Sequence, residues 1–207
     1  SIIVIFLFHY LFGLEKLNPN NVDWLFRGDT KKHFLAWLFY QQTDFLQWPL
    51  GKMHNYGQYP WSNMVFSDTI PIFSLFFKFI PLIPKYGQYF GIWIFICLIM
   101  QFFIAFKLLE LFSENYKVIL CFSIIFVISP AMLARSGFQN DLLAHPALMA
   151  HWTIIGAMYL YFKSDWRVGL WTALLIIALL THLYLLAIII PIFILDFLSR
   201  REFRFKN

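Results

Sequence analysis

Charged residues are scarce in this sequence. Aspartate, glutamate, lysine and arginine make up 13% of the 207 residues, about half the share of roughly 25% that is usual in globular proteins. Hydrophobic residues make up 60%, and the mean hydropathy is +0.67. A water-soluble fold of this composition would have too few polar side chains to cover its core, so we expect an integral membrane protein.

Cysteine is also rare. Cys97 and Cys121 both lie inside apolar runs, where a thiol behaves as a small hydrophobic group. They form no CxxC pair and no disulfide framework. The sequence has no P-loop, GxGxxG or GxSxG motif, which disfavours nucleotide chemistry of the soluble type. The net charge of +5 comes from scattered basic residues, so we expect no nucleic-acid partner.

Long apolar runs are abundant. One extends from the start of the chain to about residue 14, and others cover residues 89–111, 118–133, 146–162 and 168–198. A membrane-spanning helix needs about 20 apolar residues, so the runs predict an all-α, polytopic transmembrane bundle of about six spans. The chain starts at Ser1 inside the first run, so we expect an incomplete first span and a fragment of a longer protein.

The last apolar run is too long for one span and short for two. Basic residues in short loops mark the cytoplasmic face, and those in the links at 107–117 and 163–167 and in the tail from Arg200 are predicted to lie there together. This requires an even number of crossings after Arg167, so we predict a break at Thr181-His182 between two short helices. Such a pair would leave a recess in the outer leaflet. The alternative is one long tilted helix with its basic tail outside.

A mixed segment, residues 15–88, is predicted to form a large loop on the outer side of the membrane. Within it, residues 30–42 and 70–80 are amphipathic and predict short helices in the membrane interface. Four tryptophans suit an aromatic belt there: Trp24, Trp37, Trp48 and Trp61. We therefore treat residues 1–207 as one membrane domain, in which this loop precedes spanning helices over residues 89–199.

Ionisable residues near membrane segments are costly and are candidates for function by default. On the predicted outer face, Asp29 and Asp68 are the candidate catalytic residues. The candidate substrate-binding residues are polar or cationic groups of the same face, suited to a phosphate or a sugar: Lys32, His33, Arg135, Asn140, Asp141, His145, His151 and His182. His182 stands out because it interrupts an otherwise apolar run.

Each candidate also has a purely structural interpretation. Asp29 and Asp68 both precede a predicted helix and could only cap it, and Arg135 could extend to the lipid headgroups. The histidines could satisfy backbone groups or stand in a turn. Aspartate and histidine are both metal-ligand types, so a divalent metal stays open, but no close-spaced HxxxH pair is present and we assign no metal ligand.

Five stretches of the chain together resemble the GT-C superfamily of membrane glycosyltransferases, and within it a family of bacterial multi-pass membrane proteins. They are GDTKKHFLAWLFYQQTDFLQWPLG, NYGQYPWSNMVFSDTIPIFSLFFK, QYFGIWIFICLIMQ, SPAMLARSGFQNDLLAHPALMAHW and THLYLL. The GD, WPLG, SDTIP and AHW elements carry the resemblance in combination rather than singly.

The resemblance implies a GT-C-like core with a long first outer loop and an acidic residue near the start of that loop. Asp29 occupies the matching position, and Asp68 is a second acid. Thr30 follows Asp29 where an adjacent acid would favour a metal-dependent variant. The implied partners are the lipid bilayer, a lipid-linked sugar donor and a glycan, lipid or protein acceptor, at the bacterial inner membrane.

These features lead us to expect an inverting transferase that moves a sugar from a polyprenyl-phosphate donor. Asp29 would accept the proton of the acceptor hydroxyl, and Arg135, with His145 or His182, would neutralise the leaving phosphate.

The alternative is a non-enzymatic membrane module, such as a flippase, a transporter or an assembly subunit for cell-surface polysaccharide. A conduit for a charged solute needs polar residues along a path through the spans, whereas Gln101 and Ser123 are the main polar residues inside them. This disfavours a conduit and leaves a structural subunit open.

Overall fold

The computed structural model describes residues 2–44, 46–57, 61–80, 82–137 and 144–205 and is mostly helical. The helices are α1 (Ile2–Phe12), α2 (Thr30–Gln41), α3 (Pro71–Phe79), α4 (Phe90–Leu109), α5 (Tyr116–Val127), α6 (Pro130–Arg135), α7 (Trp152–Phe162), α8 (Val168–Thr181) and α9 (Leu183–Phe205). Strands β1 (Lys52–His54) and β2 (Trp61–Asn63) pair antiparallel, with Met53 opposite Ser62. Short 3₁₀ turns cover Leu14–Leu17, Asp23–Phe26, Met64–Phe66 and Pro146–Met149.

Three helical segments of the described residues are long and apolar enough to cross a bilayer. They are Phe90–Leu109, Tyr116–Arg135, which continues across the short break between α5 and α6, and Leu183–Arg200. Helices α1 and α8 are apolar but have only 11 and 14 residues. At 1.5 Å per residue, α8 extends about 21 Å, against about 30 Å of hydrocarbon. The chain is thus a helical membrane protein, and the six-span topology stays a prediction.

The break predicted at Thr181-His182 is confirmed. Helix α8 ends at Thr181, His182 has an extended backbone, and α9 begins at Leu183. The two helices differ in length, at 14 and 23 residues, so the prediction of two short helices is wrong for α9. The apolar run continues through Pro191 and ends only where the charged tail begins, so nothing in the sequence stops α9 early.

Residues 146–162, predicted to span the membrane, do not form one continuous helix, and their crossing stays a prediction. The segment opens with the 3₁₀ turn Pro146–Met149, and α7 has only 11 residues. Pro146 has no N–H to continue a helix from before it. The Thr153 hydroxyl donates to the Ala150 carbonyl at 2.7 Å, a local bond that competes with regular helix bonding.

Both helices predicted within the loop are confirmed, since α2 and α3 lie within one residue of their predicted bounds. Helix α3 is amphipathic as predicted, whereas the apolar residues of α2 are not confined to one face. The aromatic face of α2 packs inside the protein rather than at its surface. Trp37 is fully buried, and its Nε1 donates to the Gly87 carbonyl at 2.9 Å. The prediction that Trp37 belongs to an aromatic belt is therefore wrong. Trp48, by contrast, is 87% exposed. The Trp61 side chain lies outside the described part of the structure.

The loop is fixed to the start of α4 by buried polar contacts. The Gln88 side-chain amide donates to the carbonyls of Lys16 and Asn18 at 2.8 and 3.0 Å, and its Oε1 accepts from the Gly91 N–H at 2.9 Å. Gly91 lies so close to the Lys16 carbonyl that a Cβ there would overlap it. The absence of a side chain at Gly91 is thus what lets the loop reach α4.

Replacing Gly91 with alanine should destabilise the protein. The new methyl group would push the Lys16 carbonyl away, and overpacking of this kind costs about 1–3 kcal/mol. Gly169→Ala is the matched control, because Gly169 also lies in a helix, but a methyl group there would have no described atom within 4 Å apart from its chain neighbours and the backbone of its own helix. We expect a lower midpoint of thermal unfolding in detergent for Gly91→Ala and an unchanged or higher one for Gly169→Ala. Equal midpoints would contradict the close approach.

Near the start of α8, at the end away from His182, a buried carboxylate joins α8, α9 and the α7–α8 link. The Asp196 side chain is 2% exposed and accepts from the Arg200 Nε at 2.6 Å and from the Trp171 Nε1 at 2.9 Å. The Arg200 guanidinium also donates to the carbonyls of Lys163 and Ser164 at 2.6 and 2.5 Å. The tail therefore returns to the α7–α8 link, as the charge pattern predicts.

Removal of the Asp196 carboxylate should loosen this end of the bundle. It would leave Arg200 and the Trp171 N–H without their buried acceptor, and breaking a buried pair costs about 3–5 kcal/mol. Asp165→Ala is the control, since Asp165 is 63% exposed and lies 3.5 Å from Arg167. We expect a clear drop in the thermal midpoint for Asp196→Ala and little change for Asp165→Ala. The same small effect in both variants would refute a structural role for Asp196.

Candidate functional site

Four segments that are distant in the sequence meet at one carboxylate. His182, between α8 and α9, places its Nε2 2.8 Å from the Asp68 Oδ1. His145, before the 3₁₀ turn at 146–149, places its Nδ1 3.7 Å from the Asp68 Oδ2. The His33 ring, on α2, lies 4.9 Å from the His145 ring, centroid to centroid. We call Asp68, His33, His145 and His182 the histidine–aspartate cluster.

The turn that carries Asp68 is held in a strained backbone conformation. Asp68 and Ile70 have φ angles of +53° and +56°, which aspartate tolerates and a β-branched residue rarely adopts. Ile70 is fully buried, and it precedes Pro71, which begins α3. Strain of this kind persists only where the surroundings enforce it, and it concentrates at functional sites.

Hydrogen bonds from neighbouring side chains enforce that turn. The Ser67 hydroxyl donates to the Met64 carbonyl at 3.0 Å. The Ser74 hydroxyl donates to the Thr69 carbonyl at 2.7 Å. The Tyr89 hydroxyl donates to the same Thr69 carbonyl. Because Tyr89 immediately precedes α4, the position of Asp68 is tied to the first long apolar helix.

The segment that carries His145 is held from two sides. The His145 N–H donates to the Arg135 carbonyl at the end of α6, at 2.9 Å. The Trp93 Nε1 of α4 donates to the Pro146 carbonyl at 2.7 Å. The imidazole is therefore presented by backbone contacts to α4 and α6, and its ring is left available to the cluster.

The hydrogen bonds of His182 define which ring nitrogen carries the proton. Its Nδ1 accepts from the Tyr184 backbone N–H at 3.1 Å, so Nδ1 must present a lone pair. The neutral ring therefore carries its proton on Nε2 and donates it to Asp68. His182 thus orients the Asp68 carboxylate, and its basic nitrogen is already occupied.

His33 has the opposite tautomer. Its Nδ1 lies 3.0 Å from the Ser67 carbonyl, and since a carbonyl only accepts, Nδ1 carries the proton. The Nε2 lone pair of the neutral ring is then left over. This atom is buried and has no hydrogen-bond partner among the described residues, and the same holds for the Nδ1 of His145.

Electrostatics favour an ionised Asp68 beside a neutral His145. Burial opposes ionisation of Asp68, but the hydrogen bond from His182 and the electrostatic effect of His182, His33 and His145, when these rings are protonated at low pH, outweigh it and lower the carboxyl pKa. Burial and the His33 charge lower the pKa of His145, and although Asp68 opposes this, the charges of His182 and Arg135 add to it. At neutral pH the pair therefore carries one net negative charge.

The cluster opens into a cavity of about 330 Å³. Its polar wall consists of Asp68, His145 and His182, and its other lining residues are Val65, Phe66, Leu183 and Tyr184. One side of the cavity thus offers charge and hydrogen bonds, while the other offers apolar surface. A ligand with a polar group and an apolar part matches that lining.

One family matches nearly the whole chain. Residues 1–204 match DUF6311, described as a domain of unknown function. The chain belongs to the DUF6311 family. No curated protein and no solved structure matches it. Membership of DUF6311 carries no activity with it, so the glycosyltransferase resemblance stays a proposal.

Asp29 lies near the cluster but is engaged elsewhere. Its carboxylate pairs with the Lys32 Nζ at 2.8 Å, and within the described residues its side chain makes no capping bond to α2. The capping interpretation of Asp29 is therefore not supported. The hydrogen bond from Lys32, together with the charges of Lys32, His33 and His145, outweighs a modest burial effect and lowers the pKa of Asp29.

The remaining candidates fall into two groups. His151 precedes α7, and burial together with the Arg135 charge lowers its pKa, so Arg135 lies within electrostatic reach of both His151 and His145. Asn140 and Asp141 lie outside the described residues.

Two backbone groups that orient the cluster were absent from our candidates, the Ser67 carbonyl and the Tyr184 N–H. Backbone groups carry no residue-specific signal by which a sequence could reveal them.

The two tautomers give a direct spectroscopic prediction. In ¹⁵N-histidine-labelled protein at pH 8, where an ordinary histidine with a pKa of about 6.5 is neutral, His33 should be protonated on Nδ1 and His182 on Nε2. His33→Gln and His182→Gln assign the two signals among the six histidines. His54, which is exposed on β1, serves as the reference for an unconstrained ring. Identical tautomers for His33 and His182 would contradict the hydrogen bonds described above.

Proposed function

We propose that this protein is a GT-C type glycosyltransferase that moves a sugar from a polyprenyl-phosphate donor to an acceptor at the outer face of the bacterial inner membrane. The observation that carries the proposal is the cavity beside Asp68, which combines an oriented carboxylate with apolar walls. A lipid-linked sugar has both kinds of surface. The apolar helices α4 and α9 and the resemblance of the GD and SDTIP elements add support.

In the proposed reaction, Asp29 is the proton acceptor. Its side chain is 34% exposed, so an acceptor hydroxyl can approach it from water, and its lowered pKa keeps it ionised at neutral pH. The acceptor oxygen bonds to the anomeric carbon while the bond from that carbon to the phosphate oxygen breaks. The hydroxyl proton passes to Asp29, and polyprenyl phosphate leaves with inversion at the sugar.

Stabilisation of the leaving phosphate is assigned to Arg135. His182 donates its Nε2 proton to Asp68, and the lowered pKa of His145 leaves that ring uncharged at neutral pH. Arg135 stays charged at any physiological pH, and its charge reaches His145 and His151. A fixed cation at this position would offset the charge that develops on the phosphate oxygen.

The proposed orientation places the cluster outside and the basic end inside. Arg200 contacts the carbonyls of Lys163 and Ser164, so the basic residues of the last link and the tail gather at one end of α8. His182 lies at the other end, about 20 Å away along the helix. Positive charge favours the cytoplasmic side, which leaves the cluster facing outward. We retain six crossings as part of this proposal.

Transfer of radiolabelled sugar from pooled polyprenyl-phosphate donors by the purified protein tests the proposal. Asp29→Asn should lower the rate by about 100-fold or more, the usual contribution of a general base. Asp165→Asn, at the opposite end of the bundle, should keep the normal rate. Each variant is first compared with the parent protein by thermal unfolding, so that loss of fold is not mistaken for loss of chemistry.

Three outcomes would overturn parts of the proposal. Full activity in Asp29→Asn would remove Asp29 as the base, and loss of activity in Asp68→Asn alone would move that role to Asp68. No transfer from any donor, with the protein folded and the lipid donor accessible, would reject the enzyme and favour the non-enzymatic assembly subunit.

A further inference from the structure

Three metal-ligand side chains converge in the histidine–aspartate cluster. One ring nitrogen of His33, one ring nitrogen of His145 and a carboxylate oxygen of Asp68 all lie within 4.8 Å of one another. The three residues come from α2, from the turn before α3 and from the segment before α7, so the fold rather than sequence proximity brings them together. Because these ligands are far apart in the sequence, they form no close-spaced pair of the kind that indicates a metal site.

The hydrogen bond of the His33 Nδ1 orients the ring so that its Nε2 can act as a metal ligand. The Nδ1 proton is held by the Ser67 carbonyl at 3.0 Å, and this leaves the Nε2 lone pair as the free electron pair of the neutral ring. Histidine ligands in metal sites almost always donate their other N–H to a carbonyl or carboxylate in this way. His33 is 4% exposed, and its Nε2 is buried with no hydrogen-bond partner among the described residues.

Asp68 and His145 are prepared in a similar manner. The Asp68 Oδ1 accepts from His182 at 2.8 Å, which orients the carboxylate and leaves Oδ2 for another partner. The Nδ1 of His145 lies 3.7 Å from Oδ2, which is too long for a hydrogen bond. The Nδ1 of His145 is itself buried and has no hydrogen-bond partner among the described residues.

Charge and ligand type select the class of ion. The partly buried carboxylate of Asp68 attracts a cation and repels an anion. Two imidazoles and one carboxylate suit Zn²⁺ and neighbouring divalent transition ions, whereas Mg²⁺ and Ca²⁺ prefer oxygen ligands throughout. Metal–ligand distances of about 2.0–2.2 Å at tetrahedral angles require donors about 3.4 Å apart, so small side-chain rotations would bring the three atoms into range.

We infer that His33 Nε2, Asp68 Oδ2 and His145 Nδ1 bind one divalent transition-metal ion of the zinc class, with His182 as the positioning residue for Asp68. Asp68 and His145 also line the cavity beside Val65 and Tyr184, so we assign the fourth coordination position to that side. Three protein ligands and one open position characterise catalytic rather than structural zinc sites. The inference goes beyond the proposed sugar transfer and does not depend on it.

Metal binding by the purified full-length protein tests the inference without any sugar donor. After removal of any polyhistidine tag, the protein is stripped with a chelator, titrated with Zn²⁺, and its bound zinc is measured by mass spectrometry. We expect one zinc per chain. His33→Ala, Asp68→Asn and His145→Ala should each abolish stoichiometric binding, and His182→Ala should weaken it by about 10- to 100-fold, as loss of an orienting partner usually does.

Two other histidines provide the matched controls. His54 lies on β1 and His151 precedes α7, and neither belongs to the three-ligand group, so His54→Ala and His151→Ala should keep one zinc per chain with unchanged affinity. Less than half a zinc per chain in the parent protein would overturn the inference. Retention of full binding in all three ligand variants would overturn it as well.

A measurement on the parent protein removes any dependence on how the variants fold. X-ray absorption at the zinc edge should report two imidazoles, with nitrogen and oxygen donors at about 2.0–2.2 Å and no sulfur. One imidazole or none, or a thiolate, would refute the ligand set. Because this measurement needs no catalysis, it tests the metal site independently of the transferase proposal.

Discussion

The hydrogen bond between Asp68 and His182 is the contact on which the candidate site depends. It joins the loop of residues 15–88 to the break between α8 and α9, two parts of the chain with no local reason to be neighbours. The Tyr184 N–H donates to the other ring nitrogen, which keeps the proton of the neutral ring on Nε2, and that N–H is available because α9 begins there. The break between α8 and α9 therefore allows a polar side chain to be presented within an apolar run.

A second constraint comes from the apolar surroundings, where a buried polar group must find its partner within the chain. Gln88 and Tyr89 meet this demand at the start of α4 by binding the carbonyls of Lys16, Asn18 and Thr69. These same bonds fix the loop in place. The hydrogen bonds that satisfy these carbonyls thus also hold the loop, and with it Asp68 and α2, against the helices. The need to pair buried polar groups therefore also determines the geometry of the site.

The sequence predicted local features better than distant contacts. Helices α2 and α3 were predictable because apolar periodicity is local, and the break at His182 was predictable because basic residues on both sides required it. The apolar residues of α2 are not confined to one face, and the sequence does not show whether lipid or protein covers them, so Trp37 was misplaced. The meeting of His33, Asp68 and His145 depends on tertiary packing alone, and no spacing in the sequence encodes it.

The charge of the cluster links the two proposals through one physical problem. A phosphate that enters the cavity meets the ionised Asp68, while the imidazoles of His145 and His182 supply no net positive charge. Arg135 alone would offset one charge on the phosphate and leave Asp68 unbalanced. A divalent cation between His33, Asp68 and His145 changes the sign of the cavity, because two positive charges exceed the single carboxylate. The same residues that would repel a phosphate as bare side chains would then bind one through the open position of the metal.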